Sequence, residues 1–324
     1  MDIPTGDVQR LGLGPGWRPG RRGRPRMGRR ERRRVLENIL LISPQLILFT
    51  LLVLVPLIAG VPLLFTDRSS FMDPDVRYVG FENLTRIFTD RQLSAVLLPA
   101  IGRTAQFTLF NYLMVYAIGL PLALLMYEIG FRGGFFSIVY LPRMISALAL
   151  GYMAIALFAE STGSVNLFLL ERGWIERPIN IKVGNTLTIG LPIFVGWKTA
   201  GYNMAIFLAG LLSIPRETIE AAIVDGASYW RRLIHIYFPQ MSPSFIIVTI
   251  FCLTGSFQTF DLLLPMGALT GNREAEFVSI VFYKYAFSTG RMALGMALSV
   301  QVLLPLVFVA IGLQRLQKRL SYEV

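Results

Sequence analysis

Residues Glu220–Gln240 read EAAIVDGASYWRRLIHIYFPQ, a charged interruption between two of the most apolar parts of the chain. Just before it, Ser213 is followed by Pro215 and Glu217. This order predicts a helix start with Ser213 as the N-cap and proline just inside. Ile219, Ala222, Ile223 and Ala227 then recur at helical spacing and form an amphipathic stripe. Asp225-Gly226 predicts a break, because glycine is poor inside a helix and good at a turn. A second amphipathic segment, with Tyr229, Trp230, Leu233, Ile236 and Tyr237, runs to Pro239. The expectation is a short helix, a bend and a second short helix. Such a pair can rest on lipid, but acidic Glu220 and Asp225 near the bend suit an anionic leaflet poorly. They fit a protein partner that pushes on the bend.

The surroundings make the solvent a bilayer. Of 324 residues, 54% are hydrophobic and 16% charged, against about 25% charged in ordinary soluble domains. Crossing the hydrocarbon takes about 20 helical residues. Six stretches meet this: Ile39–Phe65, Thr104–Tyr127, Phe135–Phe158, Thr186–Leu212, Pro243–Pro265 and Met292–Leu313. The fold class expected is all-α integral membrane. Residues 1–38 are expected to form a basic, disordered cytoplasmic tail, residues 39–324 a transmembrane domain, and residues 213–240 the loop between the fourth and fifth spans. The first span is too long for a cleaved signal peptide.

The tail carries RPGRRGRPRMGRRERRR, and QRLQKRLSYEV at the other end is also basic. Six spans put both termini on one side, and the lysine and arginine excess makes that side the cytoplasm. The arginine run reads as a lipid-facing topology signal, with no nucleic-acid partner. The one cysteine, Cys252, permits no disulfide within the chain, and the one histidine, His235, excludes a histidine-rich zinc site. No cofactor is expected in this chain.

The loop resembles the EAA loop of binding-protein-dependent ABC importer permeases, E-A-A-x-x-D-G-A-x-x-W-x-x-F-x-x-I-x-L-P. Glu220, Ala221, Ala222, Asp225, Gly226, Ala227, Trp230, Ile236 and Pro239 stand in register; Leu233 replaces the usual Phe and Phe238 the usual Leu. FENLTRIF resembles the family's G-x-x-N-Y segment, and FLAGLLSIPRETIEAA and SFQTFDLLLPMGALTGN resemble the carbohydrate-uptake, maltose-type branch, first permease. The chain departs from the pattern at TGNREAEF, where a Gly-Gly-Gly-Pro run is usual, and at Arg103, where Asn is usual.

The resemblance implies a six-helix ABC importer type I permease with a cytoplasmic coupling helix. It implies a multi-pass protein of a bacterial or archaeal plasma (inner) membrane. The implied partners are a second permease, ATPase subunits docked on the EAA loop, membrane lipid, and an extracytoplasmic solute-binding protein that delivers a sugar or sugar derivative. Glycerol phosphate esters are the alternative solute. The chain carries no G-x-x-x-x-G-K-[ST], so ATP is bound elsewhere. It is read as a transport subunit and not an enzyme. A secondary transporter would show repeated halves with broken helices, and no such repeat is present.

For the solute path, Lys198, Thr199 and Tyr202 share the fourth span. At 1.5 Å per residue Lys198 sits roughly 21 Å from Leu212, and Ser256 roughly 20 Å from Pro243 in the fifth. Cys252, Ser256 and Thr259 form a matching stripe. Trp197, Tyr202, Phe257 and Phe260 are candidates to stack on a sugar ring. A continuous fifth helix puts Asp261 on its opposite face, away from the solute.

Overall fold

The computed structural model describes residues 29–70, 72–129 and 133–322. Apart from one antiparallel bridge between Thr66 and Tyr78, the described residues are helices and connecting segments. Contacts divide the chain between Ala59 and Gly60.

In the first unit, α1 (Arg29–Phe49) runs through a π turn (Thr50–Leu54) into α2 (Val55–Gly60). The first 28 residues of the expected tail lie outside the described residues. The remainder of that tail is the start of α1, so helix begins well before Ile39. An exposed Arg33–Glu37 pair at 3.0 Å supports this turn. Val55 donates its N–H to Thr50, a π register that accommodates Pro56, which has no N–H to give. Apolar side chains such as Leu41, Leu52 and Ile58 are exposed around this helix, as suits lipid.

The second unit opens with a 3₁₀ turn (Val61–Phe65) and α3 (Glu82–Thr89), followed by α4 (Arg91–Glu128). Then come α5 (Gly133–Tyr140), a 3₁₀ turn (Leu141–Met144), α6 (Ala147–Leu157), α7 (Ser164–Glu171) and α8 (Gly184–Leu212). The loop region holds α9 (Arg216–Val224), α10 (Tyr229–Arg232), a π turn (Leu233–Tyr237) and α11 (Phe238–Gln240). The chain ends with α12 (Ser242–Phe257), α13 (Val278–Tyr283) and α14 (Met292–Tyr322).

Three helices are long and apolar enough to cross a membrane, Glu37–Phe65, Arg91–Glu128 and Met292–Leu316; there are five crossings if two bent pairs each count as one. α8 spans 29 residues, long enough at 1.5 Å per residue, but WKTAGYN (Trp197–Asn203) dilutes its apolar character. The second span is longer than expected. α4 starts at Arg91 because Asp90 caps it, accepting from the N–H groups of Gln92 and Leu93. The third expected span is two helices meeting at 89°. Pro142 lies in the 3₁₀ turn between them, and Ser146 caps α6 through the N–H of Ala149. The fifth expected span stops at Phe257 and does not reach Pro265; Gln258 caps it, and a 3₁₀ turn (Asp261–Leu263) follows. Polar residues in GSFQTFD make this unwinding possible, since irregular backbone at membrane depth must face protein or a cavity.

α4 and α8 form the spine. They pack through buried Val115, Ala123, Met204 and Phe207, and through glycines that let the backbones approach. A Cβ on Gly196 would lie 2.8 Å from the Cβ of Met114, and one on Gly119 3.0 Å from that of Asn203. Buried Asn83, within FENLTRIF, donates to the carbonyls of Leu64 (3.0 Å) and Thr66 (2.7 Å), satisfying the end of the preceding turn.

Gly196→Leu is therefore expected to destabilise the folded chain by about 1–3 kcal/mol through overpacking. Gly102→Ala, where an added Cβ meets nothing within 4 Å, should leave it unchanged. Thermal denaturation of the detergent-purified protein, read by size-exclusion chromatography, distinguishes the two.

Candidate functional site

The residues flanking the α4–α8 spine build two adjoining cavities. The first, about 510 Å³, is lined by α8 from Val195 to Asn203, by α4 at Phe107, Asn111 and Val115, and by the segment from Phe251 to Leu262. The broken third segment contributes Arg143, Ala147 and Leu150. The second, about 720 Å³, follows α8 from Tyr202 to Ser213 and α12 from Ser244 to Phe251. It therefore lies toward the helix ends that flank the 213–240 loop. Tyr202 and Phe251 line both cavities, with ring centroids 6.0 Å apart.

The wall beside Tyr202 is set by one glycine. A Cβ on Gly201 would lie 2.5 Å from the Cα of Tyr140 and 2.6 Å from the carbonyl oxygen of Val139. The backbone of the broken segment thus rests directly on α8, one residue before Tyr202. The turn that follows carries Arg143, whose guanidinium carbon sits 5.2 Å from the centroid of the Tyr202 ring.

Of the residues expected on the solute path, Lys198, Thr199, Tyr202, Cys252 and Thr259 line the first cavity. Ser256 does not. It is buried, accepts from the Asn111 side-chain amide at 3.2 Å and donates to the carbonyl of Cys252 at 2.8 Å. Asn111, which the sequence reading missed, also donates to the Cys252 sulfur at 3.3 Å, while its own side-chain oxygen has no partner among the described residues. Asp261 differs from expectation as well. With α12 ended at Phe257 there is no continuous helical face to turn it away, and it lines the cavity beside Gln258 and Phe260. Trp197 and Phe257 do not line it, and Phe257 instead faces an apolar crevice with Leu253 and Val302. Arg143 carried a possible signal in the sequence: an arginine beside a proline, inside an apolar run.

The loop forms the bend expected of it. α9 ends at Asp225, and Gly226 adopts φ +77°, a left-handed conformation that favours glycine. Its start differs. Pro215 occupies the N-cap position, and Ser213 instead closes α8, its hydroxyl donating to the Gly210 carbonyl at 2.7 Å. Ser228 caps α10. Beyond Pro239 the helical path continues to Gln240 and meets α12 at 65°.

Leu233 and Tyr237 are buried against the bundle, Tyr237 packing edge-on to Tyr127 at 6.0 Å, while Ile219, Ala222, Ala227 and Ile236 are half-buried. Glu220, Ala221, Asp225, Gly226, Trp230 and Pro239 are exposed. So are apolar Ile223 (51%), Val224 (86%) and Trp230 (69%), a rim around the bend that the fold leaves uncovered.

Near the start of α8, with Arg103 reaching in from inside α4, the two departures from the family pattern meet. Arg103 donates to the Glu276 carbonyl at 2.9 and 3.3 Å, and the Glu276 carboxylate pairs with Lys284 at 2.5 Å. The Glu274 carboxylate accepts from the N–H of Gly184, and Asn272 donates to the Lys182 carbonyl at 2.9 Å.

The family model for binding-protein-dependent transport system inner membrane components matches residues 115–321, more than half of the chain. The chain is 29% identical over 273 residues to the "Probable starch degradation products transport system permease protein AmyD" of Thermoanaerobacterium thermosulfurigenes, covering 84% of this chain and 90% of that one. It is 30% identical over 287 residues to the sn-glycerol-3-phosphate transport system permease protein UgpA of Escherichia coli, covering 86% and 92%. Among solved structures, a chain of a bacterial alginate ABC transporter in complex with an alginate pentasaccharide-bound periplasmic protein superposes with a TM-score of 0.74 at 22% identity, covering 90% and 96%. The fold and the matched residues agree: this chain belongs to the family of binding-protein-dependent transport system inner membrane components, the permease subunits of ABC importers.

Proposed function

We propose that the chain pairs with a second permease to form the path by which a sugar or sugar derivative is taken up at the expense of ATP. An extracytoplasmic binding protein delivers the solute, and separate ATPase subunits dock on residues 213–240. Both termini and that loop face the cytoplasm, with six crossings in which each bent pair counts as one and α8 is another.

The observation that carries this reading is the pair of adjoining cavities that share Tyr202 and Phe251 in their linings. A solute held in the first cavity finds hydrogen-bonding groups on Asn111, Thr199 and Gln258 and aromatic faces on Tyr202 and Phe260, the mixture that a sugar's hydroxyls and ring require. Moving the two rings apart connects that space with the one beside the loop. The exposed rim of Ile223, Val224 and Trp230 is an apolar surface a partner would cover. The loop joins α8 directly to α12, so a push on the bend reaches both helices that carry these two rings.

Topology is tested with single cysteines. A cysteine at Gly226 should react with impermeant maleimide only from the cytoplasm, and one at Glu82 only from outside. Cys252 is 7% exposed and should contribute little background. Labelling of position 226 from outside would reverse the arrangement.

Coupling is tested by Gly226→Pro and Asp225→Lys. Each should leave the chain inserted but reduce ATP-driven uptake to background, because proline cannot adopt φ +77° and a reversed charge opposes the partner. Normal uptake in either variant would make the loop an interfacial helix only.

The cavity is tested in reconstituted vesicles. Tyr202→Ala should lower uptake of the cognate solute while basal ATP hydrolysis persists, and Phe251→Ala should raise ATP-independent leakage. Parental uptake and leakage in both variants would place the path elsewhere.

A further inference from the structure

We propose that the solute is an anion, carrying a carboxylate or a phosphate ester, and that Arg143 and Lys198 are the groups that recognise its charge. This rests on the reading that the solute occupies the first cavity. Both cations line that cavity, Arg143 from the break in the third segment and Lys198 from α8. Lys198 and Tyr202 lie one helical turn apart on the same face, and Arg143 lies over the Tyr202 ring. The two positive charges therefore converge on one wall.

Among the described residues neither has a carboxylate partner. The four ion pairs among the described residues join Arg33 to Glu37, Arg77 to Asp67, Arg86 to Glu82 and Lys284 to Glu276. Asp261 is the one acidic residue lining the cavity. It pairs with neither cation, so the lining is left with two positive groups against one negative.

Arg143 is exposed and Lys198 half-buried; two like charges facing one space repel, and an ionisable group at membrane depth is costly. An anion bound between them relieves both. The chemistry of the pair is suited to one. The guanidinium carbon lies 5.2 Å from the Tyr202 ring centroid, and among the described residues its N–H groups make no hydrogen bond, which leaves them for a carboxylate or phosphate to meet through paired hydrogen bonds. Lys198 adds a point charge. A neutral sugar needs neither, because Asn111, Thr199 and Gln258 already line the same space.

The test uses the complete transporter, this chain with its partner subunits and binding protein, in vesicles supplied with equal amounts of labelled maltotriose, trigalacturonate and glycerol phosphate. ATP-dependent accumulation of an acidic probe is expected, trigalacturonate identifying a carboxylate and glycerol phosphate a phosphate ester. Lys198→Gln and Arg143→Gln should each reduce it by about tenfold or more, the loss of one charge-assisted hydrogen bond, and Arg143→Lys should restore only part of the loss. Accumulation of maltotriose alone, or of no acidic probe, overturns the proposal. So does acidic uptake that both glutamine variants leave intact, or a neutral uptake that falls in parallel, since the cations would then serve the assembly. Tyr202→Ala separates the two readings. If it abolishes an uptake that the glutamine variants spare, the cavity is the path and only the anion is wrong; if all three variants transport like the parent, the cavity itself is not the path.

Discussion

Much of the arrangement rests on a contact with no side chain in it, the backbone of Val139–Tyr140 lying against Gly201. Any Cβ at that position would collide with main-chain atoms, which cannot swing aside as a side chain does. Because the contact holds, the third segment can break at Pro142 and still be anchored. The turn after the break then carries Arg143 over Tyr202, and α6 packs on the 3₁₀ turn beyond α12, where Gly151 faces the Leu262 carbonyl. The first cavity is the space these elements enclose. In a bilayer, where unpaired backbone groups are costly, a break of 89° is tolerable only with neighbours this close.

The two ends of the bundle are built differently. At the end away from the loop, side chains close on backbone carbonyls and amides: Arg103 on Glu276, Asn272 on Lys182, Glu274 on Gly184. Asn166 adds three carbonyl contacts and accepts from the N–H of Ile179, pinning the segment before α8. Arg103 and the REAE segment, the two places where the sequence differs from the pattern it resembles, touch each other in the fold. At the loop end the connections are sparser. Leu233 and Tyr237 hold the loop to the bundle, while the bend between Ile223 and Trp230 stands free with apolar side chains in the open. The first end is fixed by its own hydrogen bonds. The second leaves apolar surface for another molecule to cover.

The sequence by itself determined what local chemistry controls. Long apolar runs required lipid, glycine after aspartate at 225–226 required a bend, and the spacing of Glu220 through Pro239 indicated the family. Lys198 and Tyr202 fell on one face because a helix repeats every 3.6 residues. Local rules failed where a tertiary contact replaced them. Ser213 had the residue type of an N-cap, yet its hydroxyl closes the preceding helix, since α8 and α9 follow one another too closely for it to serve both. The fifth segment was apolar enough to continue to Pro265, yet unwinds at Phe257 because its next polar residues have a cavity to face. That unwinding is why Asp261 lines the site, while Ser256, still inside α12, is taken up in holding Asn111. Arg143 and Asn111 are brought to the cavity by elements distant in the chain, through close backbone approach and buried hydrogen bonding, and no periodicity within one segment encodes such a meeting.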